Sequence, residues 1–274
     1  LIERLTGRGT DASDKIKERI AKAEKELAYA PKFDVILIPR VRGNAKTFIN
    51  GVDSKFGPMP YTKTSEFPSH GFPSSTNDMT GGPGFGGIEN LRKFVQDGGL
   101  LIALENSASI MAELGIAQEL STASSGSLFH PGSIVMAKIR KSDSPIVNGY
   151  PEEFSIFRGN GPLLQTNKYN RDLMLVQYGS TPLKDEVPYD GPIMGMPDKP
   201  KVEKEEKSEE KSKPYVVAGM VRNEQEIIGH GSVFNVPVGK GNVLAFTFDP
   251  LHRYLNHHDA PMVWNALINW DGLQ

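Results

Sequence analysis

The sequence has no cysteine among its 274 residues. That absence excludes disulfides, thiolate zinc sites, iron–sulfur clusters and every mechanism that uses a cysteine nucleophile. No run approaches the roughly 20 apolar residues that a membrane-spanning helix needs. The 31 lysines and arginines nearly balance the 33 aspartates and glutamates, so the net charge of -2 gives no basic field to attract nucleic acid. We therefore expect a globular chain with no nucleic-acid partner and no membrane span.

The residues that are present alternate between helix-like and strand-like segments. A helix over 11–30 is predicted because its apolar residues recur near the 3.6-residue period, and Pro31 ends it. Further helices are predicted over 88–95, from 106 to 115 and over 260–270. Strands are predicted at 33–39, 100–104, 133–139, 153–157, 173–178, 215–221, 231–238 and 242–248. The last two strands flank a Gly-Lys-Gly turn and predict a hairpin. Strand, sharp turn and helix in this order indicate an α/β fold.

Composition divides the chain into two parts of unequal size. Residues 1–32 form a separate amphipathic helical segment, and residues 33–274 form the α/β domain. The stretch 41–87 is rich in Gly, Pro, Ser and Thr and is predicted to be one long loop. The stretch 197–214 includes KVEKEEKSEEKSK and is predicted to be a disordered charged loop, because it cannot bury enough apolar surface to order itself.

A glycine-rich motif precedes the predicted helix over 88–95. Gly82, Gly84 and Gly87 satisfy the spacing G-x-G-x-x-G, and backbone amides at such a helix start could hold an anion. The dinucleotide-binding fingerprint also requires a strand directly before the first glycine, whereas a loop precedes it here. A glycine-rich entry turn is therefore the favoured interpretation, with a weak anion site as the alternative.

Polar residues follow two of the predicted strands. Glu105, Asn106 and Ser107 come directly after the strand at 100–104, and Asp249 and His252 come after the strand at 242–248. Because ligands gather at the carboxyl ends of strands in α/β sheets, we predict a polar ligand pocket formed by these residues. Asn106 or Ser107 is expected to cap the helix that follows.

Two hydrolase alternatives remain open at this stage. Ser107 could be a nucleophile, although it lacks the G-x-S-x-G frame. The histidines crowded into HRYLNHHD could bind a metal, although the chain has no H-E-x-x-H motif. We expect no metal or other cofactor to be bound by this chain.

Five blocks of the sequence follow one another along the chain: PYTKTSEFPS, STNDMTGGPGFGGIENLRKFVQDGGLLIAL, PGSIVMAKI, VPVGKGNVLAFTFDPLHRY and WNALINW. In this order they resemble the class I glutamine amidotransferase-like domain of secreted bacterial zinc carboxypeptidase-like proteins. The resemblance implies a flavodoxin-like parallel sheet with helices on both faces, plus a C-terminal β-hairpin. It also implies that zinc would belong to a separate peptidase domain of the same gene product, which would be the partner, and that the location would be periplasmic or extracellular.

Two departures from that family limit the activity that the resemblance implies. Its catalytic cysteine falls on or beside Glu105, and its catalytic histidine falls on Asp249. Carboxylates supply neither a thiolate nor an imidazole base, so glutamine hydrolysis is rejected. The expected function is a non-catalytic accessory or binding domain of a carboxypeptidase-like peptidase.

The first 37 residues resemble the lid and C-terminal region of guanylate kinases. In that family, positions matching Arg8 and Arg19 approach nucleotide phosphates, so both residues are weak anion-binding candidates. The phosphate-binding loop G-x-x-x-x-G-K-[ST] occurs nowhere in the chain, which removes the site of phosphoryl transfer. A fragment of a guanylate kinase is therefore a further alternative beside the two hydrolases. Because the two resemblances meet at FDVIL, residues 1–32 are also a candidate fusion or misassigned segment.

Overall fold

The computed structural model describes residues 33–71, 75–181, 214–254 and 257–273. The predicted helix over 11–30 and nearly all of the predicted charged loop over 197–214 lie outside these ranges. None of the helices in the described part of the chain is long and apolar enough to cross a membrane.

Ten strands and four α-helices build the described fold. The strands are β1 (Val35–Ile38), β2 (Leu100–Leu104), β3 (Ser121–Thr122), β4 (Ser133–Ile139), β5 (Glu153–Arg158), β6 (Leu164–Gln165), β7 (Met174–Tyr178), β8 (Val216–Gly219), β9 (Gly231–Val238) and β10 (Gly241–Phe246). The α-helices are α1 (Ala45–Asn50), α2 (Gly84–Gln96), α3 (Asn106–Glu113) and α4 (Pro261–Ile268).

The strands form one mixed sheet in the order β1-β2-β10-β9-β7-β4-β5, with β8 paired to β4 and β3 paired to β6. The α/β class predicted from the sequence is confirmed, and β9 and β10 form the predicted hairpin. Parallel pairing is confined to β1 with β2 and β2 with β10. The pairs from β10 to β5 are antiparallel, so neighbouring strands in this part of the sheet alternate in direction.

Strand β2 lies at the centre of the helix-covered half of the sheet and is buried along its whole length. Leu100, Ile102 and Leu104 belong to the hydrophobic cluster that includes α4, whereas Leu101 and Ala103 belong to the cluster that includes α2 and α3. Successive side chains of a strand point to opposite faces, which explains why a fully apolar run is needed here. Helices therefore cover both faces of this part of the sheet, as the sequence predicted.

The segment 41–87 contains a short helix that the sequence analysis did not predict. Asn44 begins it, since its side-chain oxygen accepts a hydrogen bond from the backbone N–H of Thr47 at 3.1 Å. The helix ends at Gly51, where φ is +62°. A β-carbon on Gly82 would lie 2.5 Å from the backbone nitrogen of Gly51 and from the carbonyl oxygen of Ile49, so only glycine allows this close approach.

The alternation of strand directions brings five strand ends to one edge of the sheet. β1, β2 and β10 are parallel, and the antiparallel steps through β9 and β4 return β7 and β5 to the same direction. The carboxyl ends of these five strands therefore meet at what we call the carboxyl edge. This is the edge at which the sequence predicted a ligand pocket.

Candidate functional site

The turn from β2 into α3 has unusual backbone geometry. Glu105 forms this turn with φ 51° and ψ -118°, a conformation that non-glycine residues rarely adopt. Helix α3 begins at the next residue, so the turn is a sharp strand-to-helix elbow. Such strained positions persist only where the surrounding structure holds them, and they cluster at functional sites.

Asn106 and Ser107 fix the elbow to the segment that follows β1. The Asn106 side-chain amide donates to the carbonyl oxygens of Val41 at 3.0 Å and Gly43 at 2.6 Å. The Ser107 hydroxyl donates to the carbonyl oxygen of Pro39 at 2.6 Å. The prediction that either side chain caps α3 is therefore wrong, since Glu105 takes the cap position without a side-chain cap bond.

Ser107 shows none of the contacts of an activated nucleophile. Its side chain is 1% exposed, and its hydroxyl proton is used on a backbone carbonyl rather than shared with a general base. The hydrogen bond from Ser107 to Pro39 therefore stabilises the elbow.

The carboxyl group of Glu105 is buried and charged groups surround it. Its Oε1 lies 3.3 Å from Nε of Arg40, whose side chain is about half exposed. Burial raises the pKa of Glu105, and the Arg40 guanidinium opposes this increase. Asp249 raises the pKa further, whereas His252 lowers it. The structure thus brings Glu105, Asp249 and His252 within electrostatic range of one another, as expected from their positions after β2 and β10.

Asp249 and His252 lie in the turn that follows β10. Oδ1 of Asp249 accepts a hydrogen bond from the backbone N–H of Leu251 at 3.0 Å, which shapes the turn. The His252 ring stacks on Phe157 with the ring centroids 5.0 Å apart. Both rings are partly exposed, so a carboxylate and an aromatic surface occur together at the carboxyl edge.

Sequence reasoning missed the arginine at the end of β5. Arg158 is 1% exposed, and its Nη1 and Nη2 donate to the carbonyl oxygens of Gly159 at 2.9 Å and Gly161 at 2.6 Å. Its guanidinium carbon lies 5.4 Å from the centroid of the Tyr178 ring. An arginine that ends a strand of alternating apolar residues was the signal available in the sequence.

A glycine holds the loop after β5 against the elbow. A β-carbon on Gly161 would lie 2.1 Å from the carbonyl oxygen of Thr247 and 3.1 Å from Cγ of Glu105. The Thr247 hydroxyl in turn lies 2.7 Å from the Tyr178 hydroxyl. The loop after β5, the elbow and the end of β10 are therefore packed into one unit.

The glycine-rich motif has a structural explanation in the described fold. Gly84 adopts φ +64° at the start of α2, and Gly82 makes the close approach to α1 described above. The Gly87 backbone N–H donates to the carbonyl oxygen of Pro83 at 3.1 Å within the first turn of α2. Arg8 and Arg19, the other weak anion-binding candidates, lie outside the described residues.

Within the described ranges no group of three or more histidine, aspartate and glutamate side chains could hold a metal ion. His258 instead contacts Asp259, with Nδ1 3.0 Å from Oδ1. Asp259 is 1% exposed and also accepts the backbone N–H of Phe157 at 3.0 Å. The hydrogen bond between Asp259 and Phe157 joins the start of α4 to β5.

Comparison with known proteins gives short or distant similarities. No family model matches the chain. The guanylate kinase of Bacteroides fragilis is 60% identical over 38 residues, which are 14% of this chain and 19% of that enzyme. The chain thus spans about a fifth of the length of the curated relatives it matches.

Two solved structures resemble the fold at low identity. A cytoplasmic protein of Salmonella typhimurium is 11% identical with a TM-score of 0.42, covering 87% of this chain and 72% of that one. A protein described as ThuA-like from Parabacteroides merdae is 12% identical with a TM-score of 0.32, covering 60% of this chain and 55% of that one.

These findings correct the family assignment made from the sequence. None of these similarities is to a zinc carboxypeptidase-like protein, so that part of the resemblance is wrong. The expected zinc peptidase partner domain and the periplasmic or extracellular location rested on that assignment alone, so neither has support. The similarity to guanylate kinase is found, but it is confined to a short segment. The α/β fold with its elbow agrees with the amidotransferase-like fold predicted from the sequence.

Proposed function

We propose that the chain is a ligand-binding domain of amidotransferase-like fold that does not hydrolyse glutamine. The observation that carries the proposal is the buried, strained Glu105 at the elbow, with Asp249 and His252 in electrostatic range of its carboxyl group. A carboxylate cannot supply the thiolate that acyl transfer from glutamine requires. The strain and burial at this position therefore serve to hold a hydrogen-bonding group in place.

The chemistry of the carboxyl edge favours a small, neutral, hydroxyl-rich ligand. Glu105 and Asp249 offer carboxylate oxygens that accept hydrogen bonds, and charge-assisted bonds of this kind are the stronger ones. Arg40 already contacts the Glu105 carboxylate, which reduces its capacity to neutralise a second cation. The stacked rings of His252 and Phe157 add an apolar surface against which the C–H groups of a polyol or sugar ring can pack.

Calorimetric titration of the full chain with monosaccharides, disaccharides and dipeptides tests this proposal. We expect a hydroxyl-rich compound to bind, and Glu105→Gln to weaken its binding about tenfold or more, since a hydrogen bond to a charged group contributes about 1.5–3 kcal/mol. The matched control is Glu113→Gln, because Glu113 is exposed and lies at the other end of helix α3, which begins directly after Glu105. Unchanged binding by Glu105→Gln, or binding of dipeptides alone, would contradict the proposal.

An assay for ammonia release from glutamine tests the chemical half of the proposal. We expect no activity above the background of the buffer. Turnover that disappears in Glu105→Gln would show that this residue supports acyl transfer and would remove the proposal.

A further inference from the structure

A second group of polar side chains lies in the interior next to the carboxyl edge. It consists of His130, Arg158, Tyr178 and Tyr215, which we call the Arg158 cluster; their exposed fractions are 2%, 1%, 0% and 5%. The rings of His130 and Tyr215 meet edge to face with their centroids 6.4 Å apart, and Arg158 lies over the Tyr178 ring. The charge of Arg158 shifts the pKa of each of the other three residues. Arg158 is therefore within electrostatic range of all three residues and in direct contact with Tyr178.

Four polar atoms of this cluster have no hydrogen-bond partner although they are buried. They are Nε of Arg158, both ring nitrogens of His130 and the hydroxyl of Tyr215. About nine in ten buried polar groups in proteins are paired, so four unpaired atoms in one cluster require an explanation. The other polar atoms nearby are satisfied, since the two Nη atoms of Arg158 and the Tyr178 hydroxyl all have partners.

The charge of Arg158 has no direct ion pair within the described part of the chain. No carboxylate there lies within ion-pair distance of it, and Glu105, which is within electrostatic range of Arg158, forms its ion pair with Arg40 instead. A buried guanidinium without a direct ion pair is costly, because the charge has lost its hydration. Water could satisfy the unpaired donors, but it would not pair the charge.

We infer that the Arg158 cluster binds a small monoanion, either a halide or a carboxylate of one or two carbons. The unpaired Nε–H of Arg158, the hydroxyl of Tyr215 and one ring N–H of His130 can all donate hydrogen bonds, so the matching ligand is a group that only accepts them. The burial of the cluster limits the ligand to a few atoms. This site is distinct from the ligand site proposed around Glu105.

Thermal unfolding of the full chain, with sodium bromide or sodium formate replacing sodium gluconate at constant ionic strength, tests the inference. Gluconate is too large for the cluster. A bound anion stabilises the folded state in proportion to the logarithm of its concentration once the site is saturated, so we expect Tm to rise with bromide, formate or both. A response to bromide alone identifies a halide site, and a response to formate alone identifies a carboxylate site.

Tyr215→Phe is the most informative variant, because it removes one hydroxyl and keeps the ring. We expect it to shift the midpoint of the anion response to about tenfold higher concentration, as loss of one hydrogen bond to a charged group implies. The matched control is Tyr169→Phe at a side chain that is 81% exposed, which should leave the response unchanged. Glu105→Gln should not weaken the anion response, because it removes a negative charge that acts on Arg158, whereas it should weaken binding at the carboxyl edge; this difference separates the inference from the proposed function.

The opposite pattern would overturn the inference. If the wild-type Tm does not respond to either anion, and Tyr215→Phe raises Tm in gluconate, the hydroxyl is merely an unsatisfied group whose removal stabilises the protein. Crystals soaked in bromide give an independent check. If bromide raises Tm, we expect an anomalous peak within hydrogen-bonding distance of Nε of Arg158, and its absence there would refute the site.

Discussion

At the scale of single residues, the sequence predicted where Glu105 lies in the fold but not its backbone conformation, its burial or its ion pair. Its position after β2 follows from the apolar run and the polar turn. Its positive φ, its burial and its contact with Arg40 depend on the loops that close over it. Gly161 illustrates the dependence, because its missing side chain is what allows the loop after β5 to reach the elbow.

Glu105→Gln should change how stability depends on pH. Burial raises the pKa of Glu105 above its value in the unfolded chain, so the folded state is penalised once the carboxyl ionises. The wild type keeps its full contribution from this group at a pH below about 4.5, the unfolded value, and loses it as the pH rises through the folded pKa. We therefore expect the unfolding free energy of Glu105→Gln to increase relative to that of the wild type as the pH is raised from 4 to 8.

Urea denaturation of both proteins at several pH values measures this difference. Glu113→Gln controls for the replacement of one glutamate by glutamine at an exposed position. A difference between Glu105→Gln and the wild type that stays constant with pH would show that burial does not control this ionisation.

At the scale of elements, the start of α2 shows how a phosphate-binding pattern can arise from packing. Gly82 lies against the end of α1 with no room for a β-carbon, whereas Gly86, inside α2, has open space around it. Packing therefore requires Gly82 of the motif, whereas it does not require Gly86, which occupies one of the variable positions between the motif glycines.

Substituting the two glycines separately tests this explanation. Gly82→Ala should destabilise the protein by about 1–3 kcal/mol through overpacking. Gly86→Ala should stabilise it by about 0.5–1 kcal/mol, because alanine favours a helix over glycine. Chemical denaturation measures both. Equal effects of the two substitutions would mean that the contact with α1 does not matter.

A buried carboxylate joins another pair of elements. Asp259, just before α4, accepts the backbone N–H of Phe157 in β5 and contacts His258. Asp259→Ala should cost about 1–3 kcal/mol, because it leaves a buried donor unsatisfied. Asp271→Ala, at an exposed position, should change the unfolding free energy by less than about 0.5 kcal/mol. A loss of similar size in both variants would contradict the role given to Asp259.

At the scale of the whole molecule, the interior contains a histidine that must stay neutral. Burial, together with the charge of Arg158, lowers the pKa of His130 to about 4. In the unfolded chain the imidazole ionises near pH 6.5. Between pH 6.5 and pH 4 the unfolded state therefore binds a proton that the folded state does not bind. Stability from this group is complete above pH 6.5 and is lost as the pH falls towards 4.

We expect the wild-type unfolding free energy to fall by about 3 kcal/mol from this group between pH 6.5 and pH 4, at about 1.4 kcal/mol per pH unit. His130→Asn should flatten that part of the profile, and His70→Asn, at a partly exposed ring, is the control for replacing a histidine. The measurement is urea denaturation in gluconate buffer, which keeps small monoanions away from the Arg158 cluster. A wild-type profile that does not change over this range would show that His130 accepts its proton while folded.

The sequence by itself determined the order and type of most elements of this protein. Apolar periodicity is local, so the run at β2, the helix at α2 and the hairpin of β9 and β10 could be predicted from neighbouring residues. The polar turns after β2 and β10 could also be assigned to one edge of the sheet, because the carboxyl ends of parallel strands lie at the same edge.

Only the tertiary structure decided which strands pair in antiparallel fashion and what lies behind the carboxyl edge. His130, Arg158, Tyr178 and Tyr215 are far apart in the chain, and nothing in their local sequence marks them as neighbours. They meet because the antiparallel pairs of β4 with β5, β7 and β8 bring them together. Strand pairing depends on the packing of the whole sheet, and this is why a buried charge with unpaired donors could not be predicted from the sequence.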